Sequence, residues 1–170
     1  MKTILSFLLL ATPAAGLEIR VCTGDGLAPA VESVALVQTA WMLEKAGVTV
    51  RWQQRDCRIK IRFASGIPET SHPGALAYAE PFGEGVRRIT VLYDRVRFVA
   101  ERRPGLEPRL LAHVLVHEIG HVLMRTDAHS ATGVMKARWT ADDLDRMSRV
   151  PLGFAAFECE LMVTPAGGRP

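Results

Sequence analysis

The stretch His117-Glu118-Ile119-Gly120-His121 reads H-E-x-x-H and continues the apolar run Leu110-Leu111-Ala112-His113-Val114-Leu115-Val116. On a helix, residues four apart share one face, so both imidazoles can reach a single ion. Glu118 is offset by one position and is placed to take a proton from water rather than to bind the ion itself. These residue types at this spacing suit hydrolysis assisted by zinc. A hydrolytic zinc usually has three protein ligands and one open position, so a third donor must come from elsewhere. The segment 125–135 offers Asp127 and His129. Neutral imidazole is a good zinc ligand and favours His129, with Asp127 as the alternative. If His129 is the ligand, Asp127 is left to reverse the chain after the helix, because Asp tolerates the left-handed conformation. A carboxylate further downstream, Glu158 or Asp143, would give another kind of zinc site. His113 reads as a packed or half-exposed helix residue, and His72 as a surface loop residue.

The motif helix is expected from Arg109 to about Leu123, entered through Pro104-Gly105 and Pro108. Before it, Leu17 to Cys22 alternates apolar and polar residues as a strand does. Pro29 opens a helical pattern up to Ala46, which Gly47 ends. Strands follow at Val48–Trp52, Arg58–Phe63, Ala75–Ala79 and Arg88–Tyr93. After the motif, Thr140-Ala141-Asp142-Asp143 has the form of a capping box and starts a short helix through Met147, which Pro151 breaks. The fold class is α+β, with a mixed twisted sheet, a backing helix, the motif helix and a C-terminal helix.

Residues 1–16 read as an export signal. Lys2 supplies the positive charge, Ile4 to Ala11 the short apolar stretch, and Ala14-Ala15-Gly16 the small-residue cleavage site. The mature chain is then one domain, 17–165, with a disordered tail at 166–170. It is expected in a periplasm or outside the cell, with no stable membrane anchor. The formal charge is +3, mostly from arginine. These arginines are interleaved with acidic residues and form no stripe along the sequence, which argues against nucleic acid as a partner. Oligomeric state is not legible. Of the three cysteines, Cys22 ends the first strand and Cys57 follows the second. Cys22–Cys57 is therefore the natural disulfide, although any of the three pairings is formally possible. Cys159 is left over.

The stretch from His117 to Met135 resembles the active site of metzincin zinc peptidases, and of matrixin-like members among them. Their pattern is H-E-x-x-H-x-x-G-x-x-H, often with Ser after the last His, then a turn carrying a Met beneath the metal. His117, Glu118 and His121 match, Ser130 follows His129, and Val134-Met135 looks like the Met-turn. Met124 stands where the family has Gly, and the family's spacing for the third ligand lands on Asp127. The resemblance implies a metzincin-like zincin fold and an exported endopeptidase holding Zn2+ on His117, His121 and His129, with Glu118 as general base. It also implies a peptide or protein substrate lying along an edge strand, for which Ala75, Leu76, Ala77, Tyr78 and Ala79 are the candidates. A Tyr shortly after the Met assists some relatives, whereas here Lys136 follows. Two other readings stay open. One is a gluzincin-like hydrolase using the downstream carboxylate. The other is an exported, non-catalytic zinc-binding module.

Overall fold

The computed structural model describes residues 16–65 and 74–164. Residues 1–15, on which the expected export signal falls, His72 and the expected tail at 166–170 lie outside the described residues. Five strands are present: β1 (Leu17–Thr23), β2 (Val48–Gln53), β3 (Ile59–Ala64), β4 (Ala77–Ala79) and β5 (Arg87–Leu92). They form one sheet in the order β2-β1-β3-β5-β4. Neighbours pair in parallel except β4, which runs antiparallel to β5 at the edge. The architecture is the expected mixed α+β.

Alternation decides which side chains face the core. Ile19, Val21, Ile59, Ile61, Ile89 and Val91 lie on one side of the sheet and are buried. Two helices pack on that side: α1 (Pro29–Glu44) and α3 (Leu106–Met124). Pro29 opens α1, where its missing N–H costs nothing. Gly47 turns the chain into β2 with φ 82°, a conformation glycine adopts without strain. Thr39 ties the helices together, its hydroxyl donating to Ala35 O at 2.8 Å and to Ala112 O at 3.5 Å. Leu110, Leu111 and Leu115 of α3 are fully buried. Each such side chain contributes about 1.5–3 kcal/mol by leaving water. From Leu110 to Val122 every residue of α3 is buried, so this helix is the centre of the molecule rather than an amphipathic cover.

The structure departs from the sequence reading at several boundaries. α3 starts at Leu106, not Arg109, because Pro108 falls in its first turn, where backbone N–H groups have no helical partner. Gly105 precedes it at φ 76°. β4 is shorter than the expected Ala75–Ala79. Ala75 and Leu76 fall outside it, although Leu92 N–H still donates to Leu76 O at 2.8 Å. Two helices were not anticipated, α2 (Tyr93–Ala100) and α5 (Ala156–Val163). The first begins where β5 was expected to end. The second has no Ser, Thr, Asp or Asn at its start. Glu158 caps it instead, accepting from Ala155 N–H at 2.6 Å. Between them lies α4 (Ala141–Met147), with the expected capping box of Thr140 and Asp143. Cys22 and Cys57 form a disulfide with Cα atoms 5.6 Å apart, and Cys159 is a free, half-buried thiol.

Candidate metal centre

α3 ends one residue beyond the position where a glycine would have ended it. Met124 stays helical, and Arg125 takes the left-handed turn at φ 51°, ψ 49°. The N–H groups of Arg125 and Thr126 both donate to His121 O. The reversal expected of Asp127 is thus made by Arg125, and the stretch leading to the next histidine starts later. Thr126 Oγ1 accepts from Ala128 N–H at 3.0 Å, and Ser130 N–H donates to Met135 O at 2.9 Å, closing the loop. Gly133 is the pivot. Its φ is 74°, and a Cβ there would sit 2.5 Å from Gly153 O. Val134 N–H donates to the same Gly153 oxygen at 2.9 Å.

This loop sets the ring orientations on α3. His117 Nδ1 lies 2.8 Å from Val134 O, and His121 Nδ1 lies 2.9 Å from Thr126 O. A nitrogen facing a carbonyl must carry the proton, so each Nε2 is left as a bare donor. The two Nε2 atoms are 3.0 Å apart. His129 joins them from the loop, and donor atoms of all three rings lie within 4.8 Å of one another. Ligands of a tetrahedral zinc, each about 2.0–2.1 Å from the ion, stand about 3.3 Å apart. The three-imidazole donor set suits zinc, and the 3.0 Å between the two helix Nε2 atoms is close to that separation. Burial pushes the His117 pKa down to about 4, against the pull of Val134 O, with His121 and His129 lowering it further. Burial likewise lowers that of His121. Both rings are thus neutral at pH 7, the state a metal requires.

Glu118 is 6% exposed. Burial pushes its pKa up to about 8, while the Ala79 N–H donates to the carboxylate and pulls the other way. That contact links the helix carboxylate to β4. Met135 is buried, its Sδ 2.9 Å from where a Cβ on Gly120 would lie, with Phe154 Cε1 at 3.0 Å. Gly120 is therefore a close-approach position, which the motif alone did not reveal. Trp139 packs edge-on against His117 with ring centres 5.7 Å apart, and against His113 at 6.2 Å.

Other sequence candidates lie elsewhere. Asp127 is exposed and outside the histidine cluster. Asp143 is bonded to Lys136 and to Thr140. Glu158 is 1% exposed, with one oxygen on the Ser130 hydroxyl and the other on Ala155 N–H. Neither downstream carboxylate joins the histidines. His113 spans two elements, with Nδ1 donating to Arg109 O at 2.6 Å and Nε2 accepting from Leu152 N–H at 3.0 Å. It is a packed residue rather than a fourth donor. Ser130–Glu158 ties the His129 loop to α5, a link between distant residues that no local pattern announces.

No protein-family model matches the chain, and no curated protein matches it in sequence. Among solved structures, archaemetzincin from Methanopyrus kandleri is similar in fold. The TM-score is 0.57 at 16% identity, over 90% of this chain and 97% of that one. Myroilysin gives a TM-score of 0.40 at 15% identity, over 64% of this chain and 48% of its own. The fold is zincin-like, with the three-histidine cluster on its central helix and adjoining loop.

Proposed function

We propose that the chain is an exported zinc-dependent endopeptidase. The observation that carries this reading is the convergence of three imidazole donors beside a buried carboxylate that is itself hydrogen-bonded to the edge strand. His117, His121 and His129 would hold the ion. Zinc, when bound, supplies Lewis acidity that acidifies a water and polarises a carbonyl oxygen. A cation held by the three imidazoles would favour the ionised form of Glu118, which would then take the proton of the attacking water and pass it to the leaving amine. Val134 O and Thr126 O keep the two helix imidazoles in the tautomer that faces the ion. Among the described residues β4 pairs on one side only, so its other edge can accept an extended peptide as an added strand. Ala77, Tyr78 and Ala79 would then align the scissile bond along the carboxylate. The matrixin-like reading of Met135 as a turn beneath the metal is supported by its packing on Gly120.

Export is supported by the N-terminal pattern around Lys2 and Ala14-Ala15-Gly16, and by the Cys22–Cys57 disulfide, since such bonds persist in oxidising compartments. Among the described residues no helix is long and apolar enough to cross a membrane.

Metal analysis joined to a cleavage assay on unfolded proteins tests the proposal. Glu118→Ala is expected to keep its zinc and lose cleavage. His129→Ala is expected to lose zinc where Asp127→Ala does not. A zinc-loaded wild type that cleaves no unfolded protein would instead make this a metal-binding module.

A further inference from the structure

The sheet has a second face. Cationic residues dispersed through the sequence converge on it: Arg20 on β1, Arg51 on β2, Lys60 and Arg62 on β3, and Arg88 on β5, all exposed. The strand register brings them together. Arg20 is level with Arg51, Cys22 with Lys60, and Lys60 with Arg88. Arg58, at the foot of β3, donates its N–H to Arg20 O at 2.8 Å and is also exposed. Among the described residues, two carboxylates pair with members of this set. Glu18 pairs with Arg51 at 3.1 Å and Glu80 with Arg88 at 3.3 Å. Among the described residues no carboxylate is within ion-pair distance of Arg20, Arg58 or Lys60 at its centre. Six cations against two carboxylates exceed the formal charge of the whole chain, +3. The positive charge is thus gathered on one side.

Parallel strands normally have both faces covered, and here the cationic face is open to solvent among the described residues. We propose that it docks on the surface of an anionic phospholipid bilayer. The cations spread over four strands about 4.8 Å apart, a two-dimensional array that a headgroup layer can meet at once. A single polyanion strand would engage only one row. One exposed aromatic, Tyr78, stands opposite Thr90 at the edge of this face, and a single ring is not the series of platforms on which successive bases stack. Attachment is electrostatic, reversible and sensitive to salt.

The test is co-sedimentation of the chain from Leu17 onward, the form expected after export. Vesicles of phosphatidylcholine alone are compared with vesicles of phosphatidylcholine and phosphatidylglycerol, at low and high salt. Binding is expected only to the anionic vesicles at low salt. Combining Arg20→Glu, Arg58→Glu and Lys60→Glu should weaken it by about tenfold or more, since each basic group near such a surface adds to attraction. Combining Arg102→Glu, Arg146→Glu and Arg149→Glu makes the same charge change on exposed helical and loop positions, and should keep most of it. The milder pair Arg58→Gln and Lys60→Gln, checked by unchanged melting, should give an intermediate loss. No vesicle binding, equal loss in both triple variants, or binding to heparin or duplex DNA without binding to vesicles would overturn the proposal.

Discussion

The inner face of the sheet presents Ile19, Val21, Ile59, Ile61, Ile89 and Val91, all buried, where the outer face presents Arg20, Arg51, Lys60, Arg62 and Arg88, all exposed. Both sets come from the same strands, one residue out of step. The inner set supports a helix buried along most of its length, on which two histidines and a glutamate are held by loop carbonyls and an edge-strand amide. The outer set makes few side-chain bonds and holds its charge in water. The comparison teaches that chemistry needing orientation is placed on the packed side, while the open side carries charge that needs only proximity. Removing one group should therefore be costly on the inner side and nearly silent for stability on the outer side.

The largest expected effect is Glu118→Gln, which should lower peptide cleavage by about 10²–10⁴-fold while zinc content and vesicle binding stay as in the wild type. A parallel loss of vesicle binding would show that the two faces are not independent. Next comes the disulfide, which staples the outer side at Cys22. Closing its 35-residue separation contributes about 3–4 kcal/mol on the chain-entropy model. Denaturant unfolding of Cys22→Ser with Cys57→Ser should show a loss of that order.

His113 gives a pH test of the packed side. Burial lowers its pKa from 6.5 to about 4, with Arg109 O pulling the other way. The unfolded chain takes up that proton first, so the contribution is complete above pH 6.5 and disappears as pH falls toward 4. It amounts to about 3 kcal/mol. In His113→Gln the amide oxygen can still accept from Leu152 N–H, and nothing titrates. Its unfolding free energy should fall less steeply than that of the wild type between those pH values, and equal slopes would refute the assignment. Smallest is Arg51→Ala on the outer side. Its exposed pair with Glu18 should contribute less than about 1 kcal/mol, and a larger shift in midpoint would mean that the outer side is also packed.

Periodicity made the strands and the motif helix legible, because one buried face leaves a trace at every second or every third and fourth residue. α5 was not legible, since its cap is the side chain of Glu158 rather than a residue at its start. α2 was hidden by direct continuation from β5. At the site, His117, Glu118 and His121 were readable from spacing because a helix fixes their relation. The third donor was legible only as a preference for His129 over Asp127, because Met124 occupies the glycine position and the turn moved to Arg125.

The amino-acid sequence by itself determined the paired histidines, the neighbouring carboxylate and the alternation of the strands. These are local relations, set by helix and strand geometry. Only the tertiary structure decided that His129 rather than Asp127 meets the other two rings, that Gly120 must leave room for Met135, and that dispersed arginines form one cationic face. Those facts depend on a loop closure, a close approach and a strand register, which join residues far apart in the chain.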